Sequence, residues 1–219
     1  MRAHFGGSSR KSLVASRVSL DAAIKGADAK SASALSSDLF FVADVLSTNI
    51  AVRRALTDPS RDGTAKAAFI SDLLGKKIGA LALGLVTELS SLRWSSPKDL
   101  VLVVEQLAIE AEASAANIAG ELDRVENEIF TAATAFASSS ELRKALTSDA
   151  TNAKATLVAD ILKGASGSTV KLVSQLVNAW RGRSIESAFA DYQWALAARR
   201  NRVIALVRVA TPIDRKSVV

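Results

Sequence analysis

The sequence predicts an all-α protein built from two similar helical bundles, and three observations lead to this prediction. Proline, which interrupts helices, occurs three times in 219 residues. Hydrophobic residues make up 49% of the chain and aromatic residues only 5%, so Ala, Leu, Val and Ile have to form the core, which suits closely packed helices. The third observation is an internal repeat.

The repeat relates the first half of the chain to the second. Residues 54–58 (RALTD) reappear as residues 144–148 (KALTS), and residues 65–74 (AKAAFISDLL) reappear as residues 153–162 (AKATLVADIL). The match continues into the next segment, where Leu85 and Leu89 align with Leu172 and Leu176. The chain is therefore predicted to be a tandem duplication of one helical unit.

The first unit is predicted to contain four helices and to end in a long fifth one. The four helices lie near Ser33–Thr48, Ala51–Leu56, Thr64–Leu74 and Gly79–Leu92. Pro97 follows Ser95 and Ser96 and is well placed to begin the next helix, because its missing N–H would be unpaired there anyway. No helix-breaking proline or glycine follows before about Asn117. We expect one continuous helix that is the last of the first unit and the first of the second.

The second unit shows the clearest helical periodicity. Five apolar residues recur every three or four positions and place one buried face on a helix from about Gly120 to Ala137: Leu122, Val125, Ile129, Ala132 and Phe136. Ser140 is predicted to cap a short helix over residues 141–146, and Gly164 to end a helix that starts at Ala153. After a loop, two more helices are predicted, near Thr169–Arg181 and from Ser184 to about Arg200.

The pattern changes after Arg202. Residues 203–209 (VIALVRV) form a β-branched run of strand length that stops before Pro212, which indicates the start of a different domain. Because the chain ends seven residues beyond that proline, we expect this domain to be incomplete. The predicted domains are thus an extra helical bundle over residues 1–106, a six-helix bundle over residues 107–201, and the first strand of an α/β domain over residues 202–219.

Composition restricts the classes of function. The absence of cysteine excludes disulfides and thiolate metal sites. The longest apolar candidate for a membrane span, Ile78–Leu92, is too short and contains Glu88, so we expect a protein that stays in the cytoplasm and does not insert into a membrane. The net charge is +6, but the basic residues are scattered and no aromatic residues are interleaved to stack on bases, so nucleic-acid binding is not favoured.

No pattern in the sequence is typical of a catalytic, cofactor or metal site. His4 is the only histidine, and residues 164–169 (GASGST) lack the lysine and the preceding strand of a phosphate-binding loop, so they indicate a loop between helices. The acidic group Glu121, Asp123, Glu126 and Glu128 is interpreted as a solvated helix face near a helix N-terminus. Trp94, Trp180 and Trp194 could line a ligand cage, but the helical spacing of Trp180 with apolar neighbours favours core or groove lining.

An ordered series of weak motifs then resembles a known family. Residues 120–130 (GELDRVENEIF), 141–147 (ELRKALT), 153–155 (AKA) and 181–183 (RGR), followed by the helix from Ser184, resemble the delta subunit of bacterial rotary ATP synthases, whose mitochondrial relative is the oligomycin-sensitivity-conferring protein. The resemblance covers about Leu107 to Pro212 and implies a six-helix bundle followed by a small α/β domain. The preceding stretch is similar to the additional bundle of the longer delta subunits of high-GC Gram-positive bacteria.

The resemblance implies a non-catalytic stator subunit without a cofactor. Such a subunit links the catalytic alpha/beta head to the b-subunit stalk and resists torque during proton-driven ATP synthesis, peripherally at the cytoplasmic face of the plasma membrane. The residues alone leave an alternative open, a helical repeat scaffold that binds nucleic acid or an acidic protein partner through its basic faces. A steep loss of binding between about 50 and 200 mM salt would indicate the scaffold.

The resemblance also implies a binding groove. In the family, the first and fifth helices of the bundle receive an amphipathic N-terminal helix of the alpha subunit, and the corresponding helices here are about Val104–Asn117 and Thr169–Arg181. Their apolar stripes are predicted to line the groove, with Trp180 as the anchor. The groove residues are Val104, Leu107, Ala108, Ala111, Ala115, Val173, Leu176, Val177 and Trp180.

Overall fold

The structure, a computed structural model, describes residues 5–147 and 151–200, and for residues 146, 147 and 151–153 it describes the backbone alone. Within these ranges the chain forms eleven helices and no strand, so the all-α prediction is confirmed for them. His4 and the predicted strand over residues 203–209 lie outside the described residues. The helices are α1 (Gly7–Ile24), α2 (Ala29–Thr48), α3 (Ile50–Thr57), α4 (Gly63–Leu74), α5 (Ala80–Ser91), α6 (Pro97–Ile118), α7 (Leu122–Ser138), α8 (Ser140–Thr147), α9 (Thr151–Ile161), α10 (Gly167–Asn178) and α11 (Ile185–Arg199).

Helix α6 is the central helix of the fold, and its predicted continuity is confirmed. Pro97 occupies its first turn, and the Ser96 hydroxyl accepts a hydrogen bond from the Lys98 backbone N–H at 3.3 Å, which satisfies one of the unpaired donors at a helix start. Over residues 100–116 every side chain is buried except those of Leu102 and Gln106, which are partly exposed. A helix buried almost all round needs partners on all sides, and α6 packs against α1, α2, α3, α7, α10 and α11.

The helices before and after α6 pack in a similar pattern. In the N-terminal half (α1–α5), α4 packs on α5, α1 on α5, and α2 on α3. The corresponding pairs among α6 and the helices of the C-terminal half (α7–α11) are, in the same order, α9 on α10, α6 on α10, and α7 on α8. Apolar side chains from both halves meet in one continuous core through α6. The predicted boundary between residues 106 and 107 falls inside α6, and the division of the chain into domains stays a prediction.

Helix α1 was not predicted from the sequence, because its hydrophobic pattern is reversed. Its buried face carries Ser9, Ser12, Ser16 and Leu20, whereas Val14 and Val18 are 64% and 66% exposed. Small serines let α1 approach its neighbours closely, and their hydroxyls are bonded: the Ser12 hydroxyl donates to the Arg93 carbonyl at 2.6 Å, and the Ser9 hydroxyl to the Asp99 carboxylate at 2.7 Å. Hydrogen bonds of the serines therefore hold this helix in place together with the apolar contacts of Leu13, Leu20 and Ile24.

Some of the predicted helix ends are confirmed, whereas α10 runs from Gly167 to Asn178 and not from Thr169 to Arg181, which leaves Trp180 outside the helix. Gly164 follows α9 with φ +85°, which favours glycine, and the Ser184 hydroxyl accepts from the Ser187 N–H at the start of α11. The assignment of Ser140 as a cap is wrong. Helix α8 begins at Ser140 itself, one residue earlier than predicted, so the Ser139 hydroxyl is the one that accepts from the Leu142 N–H, at 3.2 Å.

Candidate functional site

The nine predicted groove residues lie on or directly after two helices that pack against each other, α6 and α10. Eight of the nine side chains are buried, with exposures between 0% and 4%. Trp180, two residues after the end of α10, is partly exposed. In this conformation the eight buried residues form part of the core, and Trp180 is the one predicted groove residue that reaches the surface.

Helix α2 accounts for part of this burial. It packs along α6, and two of its residues also bind the neighbourhood of α10. The Lys171 ammonium donates to the Ser33 carbonyl at 2.8 Å and to its hydroxyl at 2.6 Å, and the Arg181 guanidinium binds the Asp44 carboxylate at 2.5 Å. A helix of the N-terminal half thus borders the α6–α10 pair, where the resemblance implied a groove for a partner helix.

Trp180 packs against the edge of the core. Its indole Nε1 is buried and has no hydrogen-bond partner among the described residues. A buried indole N–H usually finds an acceptor. Trp94 offers a comparison, because its Nε1 donates to the Leu89 carbonyl at 3.0 Å. Trp180 is therefore the predicted groove residue with both exposed apolar area and an unused donor.

A buried cluster of charges lies at the start of α11. The Glu105 carboxylate, on α6, is 1% exposed and accepts from Arg181 at 2.7 Å and from Arg183 at 2.8 Å. Arg183 also binds Asp191 at 3.1 Å. Burial, and next the charge of Glu105, raise the pKa of the Tyr192 hydroxyl well above its usual value, so it stays protonated beside that carboxylate. The cluster fixes the α10–α11 loop to the central helix.

Two further glutamates of α6 are buried and paired in the same way. Glu110 is 1% exposed and binds Arg17 of α1 at 2.7 Å. Glu112 is 3% exposed, binds Lys171 of α10 at 2.8 Å, and accepts hydrogen bonds from the hydroxyls of Ser33 and Ser168. A buried carboxylate is costly unless it is paired and hydrogen-bonded. Each of these glutamates therefore holds particular neighbouring helices against α6.

The acidic group of α7 is only partly a solvated face. Glu128 accepts from the Thr169 hydroxyl at 2.6 Å and from the Ser166 N–H at 2.9 Å, and so ties α7 to the loop before α10. Burial acts to raise the pKa of Glu128, but these hydrogen bonds outweigh it and the pKa is lowered. Asp123 and Glu126 pair with Arg200. Glu121 and Asp123 are exposed, as the solvated-face interpretation predicts, whereas Glu128 serves packing, which corrects that interpretation for this residue.

The described part of the chain contains no cluster of three or more His, Cys, Asp or Glu side chains that could hold a metal ion. Of the glycine-rich residues 164–169, the first three lie between α9 and α10, as predicted for a loop, but α10 already begins at Gly167, two residues before its predicted start. The Ser166 hydroxyl accepts from the Thr169 N–H at the start of α10. Among the described residues no single helix is long and apolar enough to cross a membrane; α2 and α3 meet these criteria only as a pair, which is bent by 104° at its break.

Comparison with known proteins gives the family. The family model described as the ATP synthase delta (OSCP) subunit matches residues 110–218. An ATP synthase subunit delta from Streptomyces coelicolor is 40% identical over 211 residues, which cover 95% of this chain and 77% of the relative. The chain belongs to the ATP synthase delta (OSCP) subunit family. A subunit delta from Salinispora arenicola is 38% identical over 90% of this chain and 73% of the relative, and one from Kineococcus radiotolerans is 37% identical over 94% and 76%.

These alignments take in the N-terminal half of the chain as well as the part that the family model matches. The family model starts at residue 110, inside α6, whereas the Streptomyces relative aligns with 95% of the chain. Helices α1–α5 are therefore part of what this chain shares with actinobacterial delta subunits. The expected membership of the long form of the delta family is confirmed.

Sequence reasoning missed the buried charges. Three glutamates, Glu105, Glu110 and Glu112, stand in a helix that is otherwise apolar or alanine-rich over residues 100–116. That composition is itself a signal, because a helix with apolar residues on every side is buried and its carboxylates then need basic partners. The RGR sequence at residues 181–183, which was noted only as a family motif, supplies two of those partners.

Proposed function

We propose that this chain is a non-catalytic peripheral-stalk subunit of the ATP synthase, which links the catalytic alpha/beta head to the b-subunit stalk and resists rotational torque during proton-driven ATP synthesis. The observation that carries the proposal is the 40% identity to a curated ATP synthase subunit delta over 95% of the chain. A stator needs rigid geometry rather than reactive groups. The buried central helix, with its three paired glutamates, is consistent with that requirement.

We further propose that the chain comprises an extra bundle over residues 1–106, the family bundle over residues 107–201, and the start of the C-terminal domain over residues 202–219. The similar packing of helices before and after α6 supports this division, since a duplicated sequence is expected to repeat its contacts. In this arrangement α6 is the sixth helix of one bundle and the first of the next. The b subunit is the second proposed partner, and attachment to the membrane is peripheral, at its cytoplasmic face.

The proposed contact with the head is an amphipathic N-terminal helix of the alpha subunit at the α6–α10 pair. Because eight of the nine predicted residues are buried, we assign them the floor of the site and give the direct contact to Trp180. The exposed part of its ring offers apolar area, whereas its unpartnered Nε1 is buried and can donate to a guest helix only after a local rearrangement. A guest helix that binds more deeply has to displace α2 from its contacts with Lys171 and Arg181.

The alternative predicted from the sequence, a scaffold for nucleic acid, gains no support from the placement of the basic residues. Arg17, Lys171, Arg181 and Arg183 bind carboxylates in partly or fully buried positions. Arg199 pairs with Asp21 at 2.5 Å. These five cations are engaged within the chain and are therefore not free for phosphate contacts.

Two experiments test the proposal. Washing membranes with low-salt chelating buffer should release the chain together with the catalytic head, whereas release only by detergent would contradict peripheral attachment. For the head contact, a labelled alpha N-terminal peptide is titrated into the wild-type chain and into Trp180→Ala, which should bind at least about tenfold more weakly. Trp94→Ala, which removes a partly buried tryptophan elsewhere, is the matched control. Equal affinities for Trp180→Ala and the wild type would remove the site from the proposal.

A further inference from the structure

The loop between α10 and α11 has an unusual backbone. Arg181 has φ +50° and Gly182 has φ +76°, so two successive residues lie in the left-handed region. Glycine adopts this region readily, but a side chain such as that of arginine is strained there. Such strain persists where the surrounding structure holds the residue in place. We therefore expect contacts of the Arg181 side chain to hold this backbone conformation in place.

The Arg181 guanidinium joins three parts of the fold. One nitrogen, Nη1, donates to Glu105 of α6 at 2.7 Å, and the other, Nη2, donates to Asp44 of α2 at 2.5 Å. The Arg181 side chain is 4% exposed and that of Glu105 is 1% exposed, while that of Asp44 is 48% exposed. One cation from the C-terminal half thus connects the central helix to a helix of the N-terminal half.

Lys171 makes a second connection of the same kind. Its ammonium binds Glu112 of α6 at 2.8 Å and the Ser33 carbonyl of α2 at 2.8 Å. Glu105 and Glu112 lie two helical turns, about 10 Å, apart on α6, and Ser33 and Asp44 lie about 16 Å apart on α2. The two contacts are separated along α2, so they act with its packing on α6 to fix its direction against the C-terminal half.

We infer that the contacts Arg181–Asp44 and Lys171–Ser33, here called the α2 bridge, couple the two halves of the chain so that they open and unfold as one body. Each contact starts from a cation that is itself held by a buried glutamate of α6, so its position is set before it meets α2. In a stator the α2 bridge lies between the two halves and transmits torque from one to the other. That consequence rests on the proposed function, but the coupling itself does not.

The test is hydrogen exchange of the full chain, followed by mass spectrometry over a range of urea concentrations. Peptides from α4–α5 and from α9–α10 report the opening of the two halves separately. The double variant Asp44→Ala, Lys171→Gln is made in a Glu112→Gln background, so that no buried carboxylate loses its cation. It removes the two charged contacts to α2 and leaves Glu105 paired with Arg181 and Arg183. Glu112→Gln alone is its reference. Arg143→Gln is the control, since it breaks an exposed ion pair with Glu186 inside the C-terminal half.

In the wild type and in Arg143→Gln, we expect both sets of peptides to become exposed at the same urea concentration. In the double variant the two midpoints should separate by about 0.5 M or more. Asparagine tolerates the left-handed backbone, and Arg181→Asn removes only one of the two contacts of the α2 bridge, so it should separate the midpoints less than the double variant does. Midpoints that still coincide in the double variant, even if both fall, would overturn the inference, and so would separate midpoints in the wild type. Neither readout involves the ATP synthase, so this test and that of the proposed function fail independently.

Discussion

Replacing Glu105 by alanine tests one of the three buried charges of the central helix. Its carboxylate is 1% exposed and accepts from Arg181 and Arg183 at 2.7 and 2.8 Å. Removing one partner of a buried ion pair costs about 3–5 kcal/mol, because the other charge is left unpaired. Here Arg181 keeps Asp44 and Arg183 keeps Asp191, so we expect the lower end, a loss of about 3 kcal/mol in the free energy of unfolding.

The assay is urea and thermal unfolding at pH 7, followed by circular dichroism. For a chain of this size about 1 kcal/mol shifts the Tm by about 2–4 °C, so Glu105→Ala should unfold roughly 6–12 °C below the wild type. Glu186→Ala is the matched control: its side chain is 53% exposed and binds Arg143 at 3.5 Å, so its loss should cost about 1 kcal/mol or less. If the free energy of unfolding of Glu105→Ala lay within about 1 kcal/mol of the wild-type value, the reasoning that this carboxylate holds the cluster together would be refuted.

Two further predictions concern α1 and the pH dependence of stability. Ser16→Val should lower the free energy of unfolding by about 1–3 kcal/mol, because this serine is 0% exposed and the added methyl groups overpack the core. The reverse change Val18→Ser, on the exposed face, should change it by no more than about 0.5 kcal/mol in the same urea titration. Equal effects of the two changes would contradict the reversed orientation of α1. Because the pKa of Glu128 is lowered on folding, its contribution to stability is present above its usual pKa of 4.5 and is lost as the pH falls through the lower folded value. Urea unfolding between pH 7 and pH 3 should therefore show a shallower acid loss in Glu128→Gln than in the wild type, and parallel curves would count against this role.

The sequence was sufficient for most of the helices because their signals are local. The apolar residues of α7 recur at helical spacing, Pro97 follows Ser96 at the start of α6, and Gly164 follows α9. Helix α1 was not predicted because serines occupy most of its buried face and valines its exposed face, so the spacing of its valines does not mark the buried side. The error at Ser140 was a displacement of one residue, which moved the capping role to Ser139.

The candidate site could be predicted only in part, because its surroundings depend on contacts between distant residues. The pairing of α6 with α10 agrees with the helices that the resemblance selected. That α2 borders this pair could not be predicted, since its contacts with Lys171 and Arg181 join residues 138 and 137 positions apart. The cationic partners of Glu105 and Glu112 lie 59 to 78 positions away along the chain, which explains why they were not identified from the sequence.

The most direct measurement of the central claim is native mass spectrometry of the ATP synthase purified through a tag on this chain. We predict one copy of the chain in each complex, together with the alpha, beta and b subunits. When this chain is lost from the complex, in the gas phase or at low salt, the b subunits should detach from the alpha/beta head. Recovery of the tagged chain without these subunits, or of a complete head and stalk that lacks it, would contradict its assignment as a stator subunit.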